Sequence, residues 1–135
     1  MISGELPQAP VANLIGFRIT QVGDGSAAME METNATHFNP MGTVHGGILC
    51  DIADAAMGIA FASLAAEGES FTTLELKINF LKPIWKSKLR ADARVVKSGK
   101  QIGLVECEIK NEQGSLVAKA SSTCMFLKGA EARGR

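Results

Sequence analysis

The chain has 135 residues, 46% of them apolar, enough for one domain with its own core and too apolar for a disordered segment. Fourteen basic residues balance fourteen acidic ones. No broad basic field marks it as a nucleic-acid binder, and little charge repulsion opposes self-association.

The three cysteines, Cys50, Cys107 and Cys124, have apolar neighbours and no paired spacing. They read as buried, reduced thiols and not as disulfides or zinc ligands. The opening MISGELPQAP has no basic stretch leading into an apolar core, so no signal peptide is expected. The longest nearly apolar run, residues 55–66, is too short to span a bilayer. These features predict a cytoplasmic protein with no membrane partner. Residues 1–135 read as one domain, with loose ends over 1–10 and 128–135.

In chain order, Val11–Leu14 follows Pro10 and predicts a short helical turn. A strand follows from Phe17, and Asp24-Gly25 signals a hairpin into a second strand in which Ala27, Met29 and Met31 alternate with polar or small residues. Residues 33–44 contain Asn, Pro and Gly and predict a loop. Gly47 to about Ala66 predicts a helix, rich in Ala, Leu, Ile and Met and poor in β-branched residues. It is apolar nearly all round, so it should be buried on most sides.

Four strands follow. Leu74, Leu76, Ile78 and Phe80 alternate with Thr73, Glu75, Lys77 and Asn79. Leu89, Ala91, Ala93 and Val95 define the next strand, Val105, Cys107 and Ile109 the third, and residues 116–127 the last. Short turns join the last three, which predicts an antiparallel meander. A helix that is apolar all round needs a wrapper, and the sheet is the only one available. The predicted architecture is α+β: about six strands curled around one central helix, with exposed edges that invite a second copy.

The stretch NPMGTVHGGILCDIAD, residues 39–54, carries the chemistry. Gly46 and Gly47 stand where the helix begins. Unpaired N–H groups there favour an anion or a developing oxyanion, and a glycine allows close approach; two adjacent glycines by themselves favour the plainer alternative, a loop that needs a tight turn. Asp54 lies among Ala53, Ala55, Ala56 and Met57, which makes it a candidate general base or nucleophile. The alternative is one polar stripe, shared with Asp51, on an otherwise buried helix. Asp54 is eight residues beyond Gly46, or about 12 Å along a helix. One carbonyl cannot easily meet both in one chain. Two antiparallel helices related by a two-fold axis would solve this.

This motif, with Asn39 and Gly42 upstream of HGGILCDIAD, resembles the hotdog-fold thioesterases of the phenylacetate-pathway (PaaI-like) type, and also the 4-hydroxybenzoyl-CoA thioesterases that place a glutamate at the acidic position. The resemblance covers roughly residues 15–127. It implies an acyl-CoA thioesterase that forms a homodimer or a dimer of dimers, with no metal and no cofactor beyond the coenzyme A of the substrate. It assigns Asp54 as the catalytic acidic residue, Gly46 as the oxyanion donor and Asn39 as a residue that orients water or substrate. Thr73, with Thr72 as its rival, falls where some relatives carry a serine that assists the water. His45 is implied as a loop brace or carbonyl-side contact beside Gly47. Lys97 and Lys100 are candidates for the coenzyme A phosphates, ahead of Lys82 and Lys86. His37 reads as an ordinary loop residue and Trp85 as half-buried. An acyl-thioester hydratase on the same fold and a non-catalytic acyl-CoA-binding module are the rival readings.

Overall fold

The computed structural model describes residues 9–129. Pro10 opens helix α1 (Pro10–Ile15) at its first position, where a missing N–H costs nothing, and Gly16 closes it at φ +102°. Strands β1 (Phe17–Gly23) and β2 (Ser26–Glu32) form a hairpin. Its turn residues Asp24 and Gly25 both take positive φ, as the Asp-Gly pair predicts. Helix α2 (Gly46–Ala62) follows, then β3 (Glu69–Phe80), β4 (Lys88–Ser98), β5 (Ile102–Lys110) and β6 (Leu116–Lys128). The expected loose ends lie outside the described residues except for 9–10 and 128–129; Lys128 ends β6 and pairs with Glu69.

The six strands form one antiparallel sheet in the order β1-β2-β4-β5-β6-β3. The predicted meander is β4-β5-β6, and β3 then closes against β6 as an edge. The sheet curls so that α2 touches all six strands. Ile52, Ala53, Ala56, Met57, Ala60 and Phe61 are fully buried on the helix. They meet Met29, Met31, Leu89, Val105, Ile109 and Val117 from the sheet.

Two details depart from the sequence reading. The helix stops at Ala62 and not near Ala66. Ser63 intervenes: its hydroxyl donates to the Ala60 carbonyl (2.7 Å) and accepts the Gly25 N–H (2.8 Å), tying the helix end to the β1–β2 turn. The helix is also not wrapped on every side. Gly47, Asp51 and Asp54 are exposed along one open stripe.

Candidate active site

The loop before α2 is braced by polar side chains. His37 is buried, contrary to the expectation of an ordinary loop residue. Its Nδ1 accepts the Asn34 N–H (3.0 Å), and its Nε2 lies 2.7 Å from the Ile15 carbonyl oxygen, to which it donates in the neutral tautomer. The Asn39 carboxamide oxygen accepts the N–H groups of Met41 and Thr43, and its nitrogen donates to Thr43 Oγ1 (2.8 Å). One N–H of that amide is left for a water or a substrate.

His45 is the N-cap of α2. Its Nδ1 accepts the Gly47 N–H at 2.9 Å. That is the loop-bracing role, and it engages the Gly47 amide. The Gly46 N–H precedes the first intrahelical bond and finds no acceptor among the described residues. It is the donor at this helix end that stays available, within the partial positive charge of the first turn.

A cavity of about 370 Å³ opens at this donor. Asn39, Gly46, Phe80, Lys82 and Pro83 are among its walls. The Phe80 ring lies against the bare Cα of Gly46: a Cβ built there would stand 2.7 Å from Phe80 Cζ. Only a glycine fits under this ring without displacing it.

Asp54 opens on a different cavity, of about 350 Å³, between α2 and the β1–β2 hairpin. Thr73 Oγ1 donates to Asp54 Oδ1 at 3.2 Å and lies 3.9 Å from Cys124 Sγ. Of the two adjacent threonines, Thr73 is the one that lines this cavity. The other lining residues include Phe17, Met29, Ile59 and Phe71, so the carboxylate and hydroxyl form a polar end to an apolar space.

Asp54 is exposed in the single chain. Its neighbours Ala53, Ala56 and Met57 turn toward the sheet and are fully buried, while Asp54 projects from the open stripe. The nearby Asp51 carboxyl is pushed up, first by partial burial and then by the Asp54 charge. The Cys50 thiol is likewise pushed up, by burial and then by both aspartates. Its surroundings thus oppose a thiolate, and it is a poor nucleophile.

The predicted residues therefore form two groups. Asn39, His45, Gly46 and Gly47 stand at the start of α2, and Asp54 with Thr73 stands at its middle. Lys97 and Lys100 join neither. They are exposed, Lys97 near the end of β4 and Lys100 on the β4–β5 turn, and Gly103 just beyond that turn in β5 abuts Phe61 near the far end of α2. Phe61 is fifteen residues past Gly46, or about 22 Å along the helix. Lys82, ranked lower from sequence, is the lysine that lines the Gly46 cavity. Trp85 is exposed and not half-buried. Phe80, Phe71 and Gly58 at these cavities belong to no motif, and only their position in the strands and helix brings them there. Among the described residues no group of three or more acidic, histidine or cysteine side chains could hold a metal ion, and no helix is long and apolar enough to cross a membrane.

A curled antiparallel sheet of six strands around one long helix is the hotdog architecture. Residues 41–118 match the model of the thioesterase superfamily. The acyl-coenzyme A thioesterase PaaI of Escherichia coli is 36% identical over 110 residues, covering 79% of this chain and 75% of that protein. A 1,4-dihydroxy-2-naphthoyl-CoA hydrolase of Listeria monocytogenes is 28% identical, covering 84% and 93%. The solved structure of the E. coli PaaI protein from the phenylacetic acid degradation operon superposes with a TM-score of 0.84 at 30% identity, over 90% of this chain and 86% of that one. The conserved protein PA5202 of Pseudomonas aeruginosa does so with a TM-score of 0.84 at 32% identity, over 89% and 95%. The chain belongs to the thioesterase superfamily, in its PaaI-like hotdog branch, and is an enzyme of the class that hydrolyses thioesters.

Proposed function

We propose that the protein hydrolyses an acyl-CoA to the free acid and coenzyme A. The observation that carries this reading is the Thr73–Asp54 hydrogen bond at the polar end of an apolar cavity. It offers a carboxylate, held by a hydroxyl, next to room for an acyl group.

In the reaction, Asp54 takes a proton from water, and the water oxygen bonds to the thioester carbon. The carbonyl oxygen becomes an oxyanion, stabilised by the Gly46 N–H and the helix end. The carbon–sulfur bond then breaks, and the sulfur leaves with the proton that Asp54 held. Direct attack by the carboxylate, followed by hydrolysis of the anhydride, uses the same groups.

Gly46 and Asp54 line separate cavities of one chain, and about 12 Å of helix separates them. A homodimer with antiparallel α2 helices would bring the Gly46 of one subunit to the Asp54 of the other. The coenzyme A phosphates would then lie near Lys82, with Lys97 and Lys100 reaching them only from the partner subunit.

The test is release of free thiol from a panel of acyl-CoA thioesters, followed with a thiol-detecting dye. Wild type should release thiol, and Asp54→Asn should be slower by about 10²–10⁴-fold, the range for a lost acid–base group. Equal rates would remove Asp54 from the mechanism. No release with any thioester would favour a protein that binds acyl-CoA without cleaving it.

A further inference from the structure

The Asp54 cavity has a second rung. Gly58 follows Asp54 by four residues, and Phe71 precedes Thr73 by two. On a helix and a strand these steps are nearly equal, about 6 Å and about 6.5 Å. The Gly58–Phe71 pair therefore crosses the same groove one helical turn beyond the Asp54–Thr73 pair.

The contact at this second rung is tight. A Cβ built on Gly58 would meet Phe71 Cζ at 2.8 Å and Cε2 at 3.0 Å. Phe71 also has ring neighbours beside it. Its ring meets Phe61 edge-on, with centroids 6.3 Å apart at 70°, and Phe61 stacks on Phe126 at 4.0 Å. The Phe71 ring thus packs on a bare Cα and beside a stacked aromatic pair, half-buried, and forms part of the cavity wall. A volume of about 350 Å³ lies at the small end of ligand sites. Away from Asp54 and Thr73, the described lining residues offer no charged side chain to a polar acyl group.

We propose that Phe71, seated on Gly58, is the specificity-determining end wall of the acyl site. It limits the enzyme to compact apolar acyl or aryl groups and rejects long chains. This rests on the reading of Asp54 as the group at the thioester. The mechanism predicts opposite effects from the two sides of one contact. Removing the ring deepens the site. A methyl on residue 58 needs the space the ring occupies and drives the ring off its seat, toward the cavity it lines.

The test measures kcat/KM for a straight-chain series from acetyl-CoA to dodecanoyl-CoA, with phenylacetyl-CoA alongside. The readout is the ratio of the value for each longer thioester to that for acetyl-CoA, which a uniformly damaged enzyme does not change. In Phe71→Ala the ratio for octanoyl-CoA and longer chains should rise at least tenfold. In Gly58→Ala the ratio for phenylacetyl-CoA should fall at least tenfold. Phe71→Leu, which keeps much of the apolar filling, should shift the long-chain ratio in the direction of Phe71→Ala and secures the result if the alanine variant does not fold. Unchanged ratios in the folded variants, with wild type active, would overturn the end-wall assignment and leave the thioesterase reading intact. A wild type inactive on every thioester would overturn both.

Discussion

Thr73 reaches Asp54 because β3 bulges beside it. The pairing of β3 with β6 runs Thr73 to Cys124 and then Glu75 to Thr123, so Leu74 is the extra residue. Before the bulge Phe71 and Thr73 face α2, and after it Leu76 and Ile78 do. A regular strand would give Thr73 the same face as Glu75 and Lys77, and the apolar row would begin at Leu74. Leu74 is instead 54% exposed. One inserted residue lets a polar group and an apolar row share the inner face.

The Thr73 hydroxyl should matter through that hydrogen bond and not through bulk. Thr73→Val keeps the shape and removes the donor, and kcat should fall about tenfold, the lower range for a bond to a charged group. Thr73→Ser should retain most of the rate. Thiol release at saturating substrate checks both. A fully active valine variant would reduce Thr73 to packing.

Gly46 needs its bare Cα for the Phe80 ring. Gly46→Ala keeps the amide but forces the ring aside. The ring is half-exposed and can swing, so thermal stability should change little, while kcat/KM should fall up to about a hundredfold, near the value of a misaligned oxyanion donor. Adding Phe80→Leu should recover part of the rate. No recovery would mean that the added methyl itself blocks the thioester carbonyl.

His45 should contribute to stability through its cap. Its Nδ1 accepts the Gly47 N–H, and loss of an N-cap costs about 1 kcal/mol. His45→Ala should therefore lower Tm by about 3–5 °C. His45→Asn, whose side-chain oxygen can accept the same N–H, should restore most of it. Calorimetry of the three proteins decides between a cap and a group that acts only on substrate.

Asp51 gives a pH dependence of known sign. Burial and the Asp54 charge raise its carboxyl above the ordinary value of 3.8. The folded chain then binds more protons than the unfolded chain just above that value, so this group's contribution to stability falls as pH rises through it. Asp51→Asn should be more stable than wild type at pH 7, and the difference should shrink toward pH 4. The part that comes from the Asp54 charge should also weaken in high salt, while the part from burial should not. A difference in Tm that stays constant between pH 4 and pH 7 would refute it.

Much of the fold was legible along the chain. Asp24-Gly25 marked its hairpin, the Ala- and Met-rich run marked α2, and period-two alternation marked the strands. These are signals carried by residues two to four apart. The motif likewise put Gly46 at a helix start and Asp54 two turns along it. The exposure of Asp54 was harder to read, because the alanines beside it in sequence turn to another face of the helix.

Short-range patterns along the chain were enough to set the elements, the helix end that offers an amide, and the carboxylate about 12 Å beyond it. Tertiary structure decided that β3 lies beside β6, that a bulge at Leu74 aims Thr73 at Asp54, and that Phe80 and Phe71 rest on Gly46 and Gly58. The physical reason is distance along the chain. Periodicity and capping act within a turn or a strand, whereas a ring meets a bare Cα only after packing brings distant segments together.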